Sequence, residues 1–347
     1  MGEADIRSLA KLPLLIVIMA ILITIVGGTV RIFDAGESCP DWPTCFGTFG
    51  FDITSEEQEI WWEENPHEID SRGEQQRYNT FEIFVEWFHR FLVGIIALPI
   101  FFNVFYTNKN RLELGEKVRN LAIFSAILLL IQAVAGYITV KFDNADWTVA
   151  LHLSLASIFI SVLVWQWLSW KQVVEPSNKL FSLSSNNAQL MKTPVIVMMI
   201  AVLSLLVLGA WVASTAGGNY NQACGVGSEA WPLCKGEVVP ELSETPILVQ
   251  MIHRVAVLIA GIILFWGYRT SITNLGKQSP LTKTVTMSFH LWATNVLVGA
   301  AYLLTASDGF IEWLSLLHLI LAVTTFVLMA VSLILIDLSG DEYMEEE

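Results

Sequence analysis

Residues 82–94 read EIFVEWFHRFLVG, and residues 249–261 read VQMIHRVAVLIAG. Each stretch places a His-Arg pair at the start of a long apolar run: His89-Arg90 in the first and His253-Arg254 in the second. Ionisable side chains are costly inside a hydrocarbon layer, so such a cluster marks function by default. Two copies of it mark an internal duplication. Around these stretches the chain offers eight apolar segments: 12–32, 83–106, 119–140, 147–170, 193–214, 247–267, 281–304 and 311–337. Each is long enough to cross ~30 Å of hydrocarbon at ~1.5 Å per residue. The first lacks a small-residue cleavage site and has a repeat partner in the fifth, so it reads as a helix and not as a signal peptide.

The expected fold is therefore all-α. It is a polytopic membrane protein whose eight transmembrane helices form two tandem four-helix bundles, related by a pseudo-twofold along the membrane normal. The chain divides into an N-terminal half, 1–170, with an outer loop at 33–82, a linker at 171–192, a C-terminal half at 193–340 and an acidic tail at 341–347. A composition that is 54% hydrophobic and 15% charged suits this class. The net charge of −14 argues against nucleic acid as a partner. With the N-terminus inside, inner segments hold twelve of the nineteen Lys and Arg residues. That bias puts both termini in the cytoplasm and the cysteine loops outside. All four cysteines lie in the two long outer loops, which suits one disulfide per loop, Cys39 with Cys45 and Cys224 with Cys234; a redox-active pair is the alternative. The acidic stretch 56–64 carries Trp61 and Trp62 and reads as a helix lying on the outer membrane surface. His67, in the same loop, reads as a solvated histidine.

The repeat extends along the chain. Gln132 and Gly136 return as Asn295 and Gly299, and DWTVALHLSLA returns as EWLSLLHLILA, so that His152 is matched by His318. The first cysteine loop returns too, with Trp42-Pro43 answered by Trp231-Pro232 and Gly47 by Gly236. Each half thus presents two imidazoles from two helices, each roughly 9–13 Å below the outer surface at 1.5 Å per residue. Facing helices of a bundle commonly build cofactor sites in this way. Two neutral imidazoles suit the axial positions of a haem, whereas zinc wants four ligands. Arg90 and Arg254 are candidates to pair with haem propionates. Glu86 shares a helix face with His89, while the matching residue of the second half is Gln250, which cannot ionise. That difference points to proton-coupled chemistry in the first half and a permanent cofactor in the second; a plain Glu86–Arg90 ion pair is the simpler account. His290 has no repeat partner and reads as a packing residue. Gln132 and Asn295 read as interhelical hydrogen-bond donors.

Glu86-Trp-Phe-His89-Arg90, His253-Arg254, His152, His318 and the Cys-Pro-Asp-Trp-Pro-Thr-Cys loop together resemble the haem A synthase family, the CtaA/Cox15 group, over about residues 12–337. The Cys39 and Cys45 pair is similar to its bacterial branch, and a bacterial plasma membrane is implied. The resemblance implies oxidation of the ring methyl of haem O to a formyl group, making haem A for terminal oxidases. It implies a substrate haem on His89 and His152, a haem b cofactor on His253 and His318, and a catalytic role for Glu86. A haem O synthase, electron-transfer partners and further copies of the chain are the expected partners. A two-haem electron carrier, or a haem transporter or chaperone, would use the same histidines without modifying haem.

Overall fold

The computed structural model describes residues 6–7, 9–69, 73, 77–213, 223–306 and 312–339. Among them run α1 (Lys11–Ile32), α2 (Ser55–Glu64), α3 (Thr80–Lys109), α4 (Arg111–Lys141), α5 (Asp146–Val174), α6 (Ser185–Val212), α7 (Thr245–Leu275), α8 (Pro280–Thr305) and α9 (Glu312–Asp337). All but α2 are long and apolar enough to cross a membrane, so the expected eight spans are present. The polar stretches at the ends of the expected linker are helical: 171–174 extend α5, and 185–192 open α6 under a Ser184 cap. The connection shortens to 175–184. The acidic tail and residues 214–222 of the second cysteine loop lie outside the described residues.

Local chemistry fixes where α3 begins. The Asn79 side chain accepts from the N–H groups of Phe81 and Glu82, both at 3.0 Å, and the Glu82 carboxylate accepts from the Asn79 N–H at 2.8 Å. This reciprocal cap satisfies amides that would otherwise be orphaned at the helix start. It also sets the register that brings Glu86, His89 and Arg90 to one side of α3.

The helices pack as two similar sets. In the first, α1 lies on α3, α3 on α4, α4 on α5, and α5 back on α1; in the second, α6 to α9 repeat that circuit. The sets meet along α5–α6, α5–α9 and α1–α9. A single apolar core runs through both, with Ile16, Ile100 and Leu163 from one set and Met198, Leu264 and Met329 from the other. Leu98, Leu258, Ile262 and Leu297 are exposed, as lipid-facing positions are. Buried polar side chains find partners across helices. Asn103 donates to Gln166 at 2.9 Å between α3 and α5, and Thr284 meets Ser332 at 2.7 Å between α8 and α9.

At one end of the bundle both disulfides are formed, Cys39–Cys45 and Cys224–Cys234. The two loops share a backbone pattern. Cys45 bridges to Thr48 and Cys234 to Glu237, both Trp-Pro bonds are cis, and Gly47 and Gly236 take φ of 73° and 80°. The tryptophans of α2 point toward the cysteine loop. Trp61 and Trp62 turn onto Phe46 of the first loop, at 5.5 and 5.4 Å between ring centroids, and Trp62 is buried. Gln58, also buried, clasps the N–H and carbonyl of Tyr78, each at 2.9 Å. The acidic helix thus packs on the cysteine loop through its aromatic pair, with its glutamates facing outward.

Candidate functional site

Beneath the two cysteine loops lies a cavity of about 1310 Å³, lined by His89, His152, His253 and His318 together with Trp42, Pro43, Trp231 and Pro232. A single small-molecule pocket is usually ~300–1,000 Å³, so this one has room for more than one ligand. Its walls are mostly apolar. The four histidines arrive on α3, α5, α7 and α9. His89 and His152 lie within electrostatic range of one another, and so do His253 and His318. The two histidines of each half are thus neighbours within the cavity.

Each imidazole rests against a glycine of the preceding membrane helix. A β-carbon built on Gly27 of α1 would lie 3.0 Å from His89 Cε1, one on Gly136 of α4 3.1 Å from His152 Cε1, and one on Gly299 of α8 2.9 Å from His318 Cε1. On Gly209 of α6 it would stand 3.4 Å from His253 Cε1. Even a β-carbon at the first three positions would require the ring to give way by a few tenths of an ångström, and a larger side chain by more. Helices that approach through small residues let backbones come close; here the space gained is filled by the ring of a neighbouring histidine. Gly136 and Gly299 were visible as a repeated pair, but nothing in one sequence joins Gly27 to His89, since that contact depends on which helices are neighbours.

The ring nitrogens fall into two groups. His318 Nδ1 donates to the Asn295 carbonyl at 3.0 Å, which leaves Nε2 as the lone-pair nitrogen. Gln132 reaches His152, with its amide nitrogen 3.0 Å from the His152 carbonyl and 3.2 Å from Nδ1. Gln132 thus donates between helices as expected; at Asn295 it is the backbone that makes the contact, as an acceptor. His89 faces the Ile23 backbone, four residues before Gly27 as Asn295 stands four before Gly299, whereas His253 Nδ1 is buried with no hydrogen-bond partner. Among the described residues no group of three or more His, Cys, Asp and Glu side chains is placed to hold a metal ion. A four-ligand metal centre does not fit this donor set. Two imidazoles in a large apolar chamber, locked in orientation and short of partners, fit an iron porphyrin.

The arginines hold the loops. Arg90 Nε donates to Glu86 Oε1 at 2.6 Å, its Nη1 donates to the carbonyls of Asp41 and Thr44, and its Nη2 to that of Cys39 at 2.6 Å. Arg254 donates to the carbonyls of Ala230 and Leu233, both at 2.8 Å. Asp41 and Thr44 stand in the first loop where Ala230 and Leu233 stand in the second, so the anchoring is repeated residue for residue. These bonds engage four of the five N–H groups of Arg90 and two of those of Arg254. Glu86 is buried and lines the cavity. Its counterpart Gln250 accepts from the Cys224 N–H at 3.0 Å. Asp41 is a second acid found only in the first half, and its Oδ1 is buried with no partner. Arg31, at the end of α1, also lines the cavity and donates to the Ala213 carbonyl at the end of α6, joining the two halves. Sequence reading passed over it; a charge just past the Gly27-Gly28 pair was the available signal. His290 packs among Phe289 and Tyr268, away from the cavity, and His67 is exposed.

Fold and site together define a polytopic membrane protein with four histidines lining one apolar cavity beneath disulfide-closed loops. A family model described as "Cytochrome oxidase assembly protein", COX15-CtaA, matches residues 10–331. The chain belongs to this family. It is similar to the heme A synthase of Shouchella clausii, 24% identical over 331 residues, covering 95% of this chain and 97% of the relative. It is likewise similar to the heme A synthases of Novosphingobium aromaticivorans, 25% identical and covering 93% and 95%, and of Flavobacterium psychrophilum, 25% identical and covering 89% and 94%.

Proposed function

We propose that this chain is a haem A synthase, oxidising the ring methyl of haem O to a formyl group. The observation that carries the reading is the pair of histidine couples, each ring set against a glycine, in one cavity large enough for two ligands. The full-length similarity to named heme A synthases supplies the reaction. His89 and His152 hold the substrate haem; His253 and His318 hold a haem b cofactor. When bound, the cofactor would supply a redox centre beside the substrate. The chain supplies position and protons. The four glycines set the rings, Asn295 fixes the tautomer of His318, and the apolar walls exclude water. Glu86 serves the first chamber only. It is buried, lines the cavity and is held 2.6 Å from Arg90, so it is placed to take protons at its carboxylate and pass them toward the loop end. Arg254, with three N–H groups not engaged by its loop, is the better placed of the two arginines to meet a propionate; Arg90 is chiefly the anchor of the first loop.

The bias in Lys and Arg supports a bacterial plasma membrane orientation with both termini cytoplasmic and the cysteine loops outside. A haem O synthase is the natural donor of substrate, and an electron-transfer partner must take the electrons. Co-expression with a source of haem O, followed by haem extraction and mass analysis, tests the reading. Formylated haem is the expected product, and Glu86→Gln should leave haem O unconverted while both chambers stay filled. Only unmodified haem from the wild-type chain would favour the electron carrier instead.

A further inference from the structure

The two chambers differ in one wall. In the first half the cavity reaches the outer face between α3 and α4, where Phe91, Gly94, Ile95, Leu98, Phe101 and Leu130 all line it and are all exposed. Of the six counterpart positions between α7 and α8, only Leu258 lines it. The cause is an exchange of side chains. Trp292 of α8 lies directly on Gly261 of α7: a β-carbon at Gly261 would stand 2.3 Å from the indole Cζ2. Phe289 stacks against Trp292 at 5.8 Å, and Tyr268 stacks against Phe289 at 5.4 Å. The indole N–H is buried with no partner, so bulk and not a hydrogen bond holds the ring there. In the first half the positions of Trp292 and Gly261 are taken by Leu129 and Ala97. Gly94 replaces Leu258, and a β-carbon added to Gly94 would meet nothing within 4 Å. An exposed mid-helix glycine with open space beside it costs ~1 kcal/mol against alanine, and packing does not require it.

We propose that Trp292, seated on Gly261, is a plug that closes the second chamber to lipid, and that the gap left by Leu129, Ala97 and Gly94 is the portal through which the substrate porphyrin enters the first chamber from the bilayer. This rests on the two-chamber reading above and adds to it the residues that decide which haem exchanges and which stays. A hydrophobic macrocycle partitions into lipid, so a lateral opening is its shortest route to His89 and His152. The plugged side keeps its ligand longer because direct exit to the bilayer there requires α7 and α8 to part, and the other way out leads past the first pair of histidines.

The test has one arm that needs no haem. Every native cysteine is in a disulfide, so no native thiol competes. The variants Ala133→Cys and Val296→Cys, at matched cavity positions, are reconstituted in liposomes and treated with a lipid-soluble maleimide. The first should label about tenfold faster or more, and adding Trp292→Leu to the second should raise its rate to match. Equal rates with or without the plug would overturn the proposal. In the second arm, transfer of haem from the His253–His318 chamber to apomyoglobin should speed up in Trp292→Leu, and to a smaller degree in the better-packed Trp292→Phe. The swap Leu129→Trp with Ala97→Gly should slow uptake of added haem at the first chamber and leave the second unchanged. Unaltered transfer in both would again overturn it. A chain that binds no haem yet keeps the labelling contrast would sink the assigned function and leave the plug standing.

Discussion

Glu86 is a buried carboxylate with an arginine at 2.6 Å, and Gln250 is an amide with a backbone partner. The difference can be tested in both directions. Glu86→Gln keeps size and removes charge; it should abolish haem A formation while the absorption spectrum shows both chambers filled. Gln250→Glu should draw Arg254 into an ion pair like that of Glu86 with Arg90, taking it from a cofactor propionate and lowering cofactor retention, read as haem per chain. The glycine contacts give a second prediction. Gly299→Leu overpacks the contact with His318, at a cost of ~1–3 kcal/mol, and should empty the second chamber with little effect on the first. The histidines were legible in the sequence because each interrupts an apolar run at a repeated position. Their glycine partners were not: the helix neighbours that bring Gly27 to His89 and Gly209 to His253 are set by the fold. The roles of Arg90 and Arg254 were half legible. A cation at a helix start reads equally well as a ligand for an anion or for carbonyls, and only the loop backbone decides.

At the scale of elements, each cysteine loop is held by its disulfide and by one arginine reaching up from the helix below. Arg254→Leu leaves the carbonyls of Ala230 and Leu233 without donors, at ~1–3 kcal/mol for each unsatisfied group. It should lower the thermal midpoint and loosen the second loop in hydrogen exchange, with Arg90→Leu doing the same at the first. The capping box of α2 makes a pH prediction. The Thr54 backbone N–H, and after it the Thr54 hydroxyl, hold the Glu57 carboxyl below its usual value of 4.5. A lowered carboxylate stabilises the fold above its unfolded pKa, and that contribution fades as pH falls through the lower folded value. Amides at the start of α2 should therefore lose protection in acid below the normal carboxylate range; Thr54→Ala, which keeps the backbone N–H, should only weaken that step, and Glu57→Gln should abolish it. The turn of Trp61 and Trp62 toward Phe46 was beyond sequence reading. Two aromatics on an acidic helix are equally at home at a membrane surface, and what draws them inward is a loop whose shape depends on its disulfide.

At the scale of the molecule, the eight spans were legible because hydropathy over twenty residues is a strong signal. The relation between halves was legible as order but not as contact. In space α5 is covered by α6 and α9, α1 touches α9, and Arg31 reaches across to Ala213. Removing that bridge by Arg31→Leu should leave each chamber's histidines in place yet lower the temperature at which the halves come apart, seen as earlier loss of both haems together. The shared junction bears on how such a chain arose. A polypeptide stopping at the short 175–184 connection would leave α5 bare along the side that α6 and α9 now cover, and self-association would be its remedy. Tandem duplication then amounts to welding a homodimer into one gene product. Covalent joining releases each copy from having to match the other, and the two now differ where Gly94 answers Leu258 and Leu129 answers Trp292.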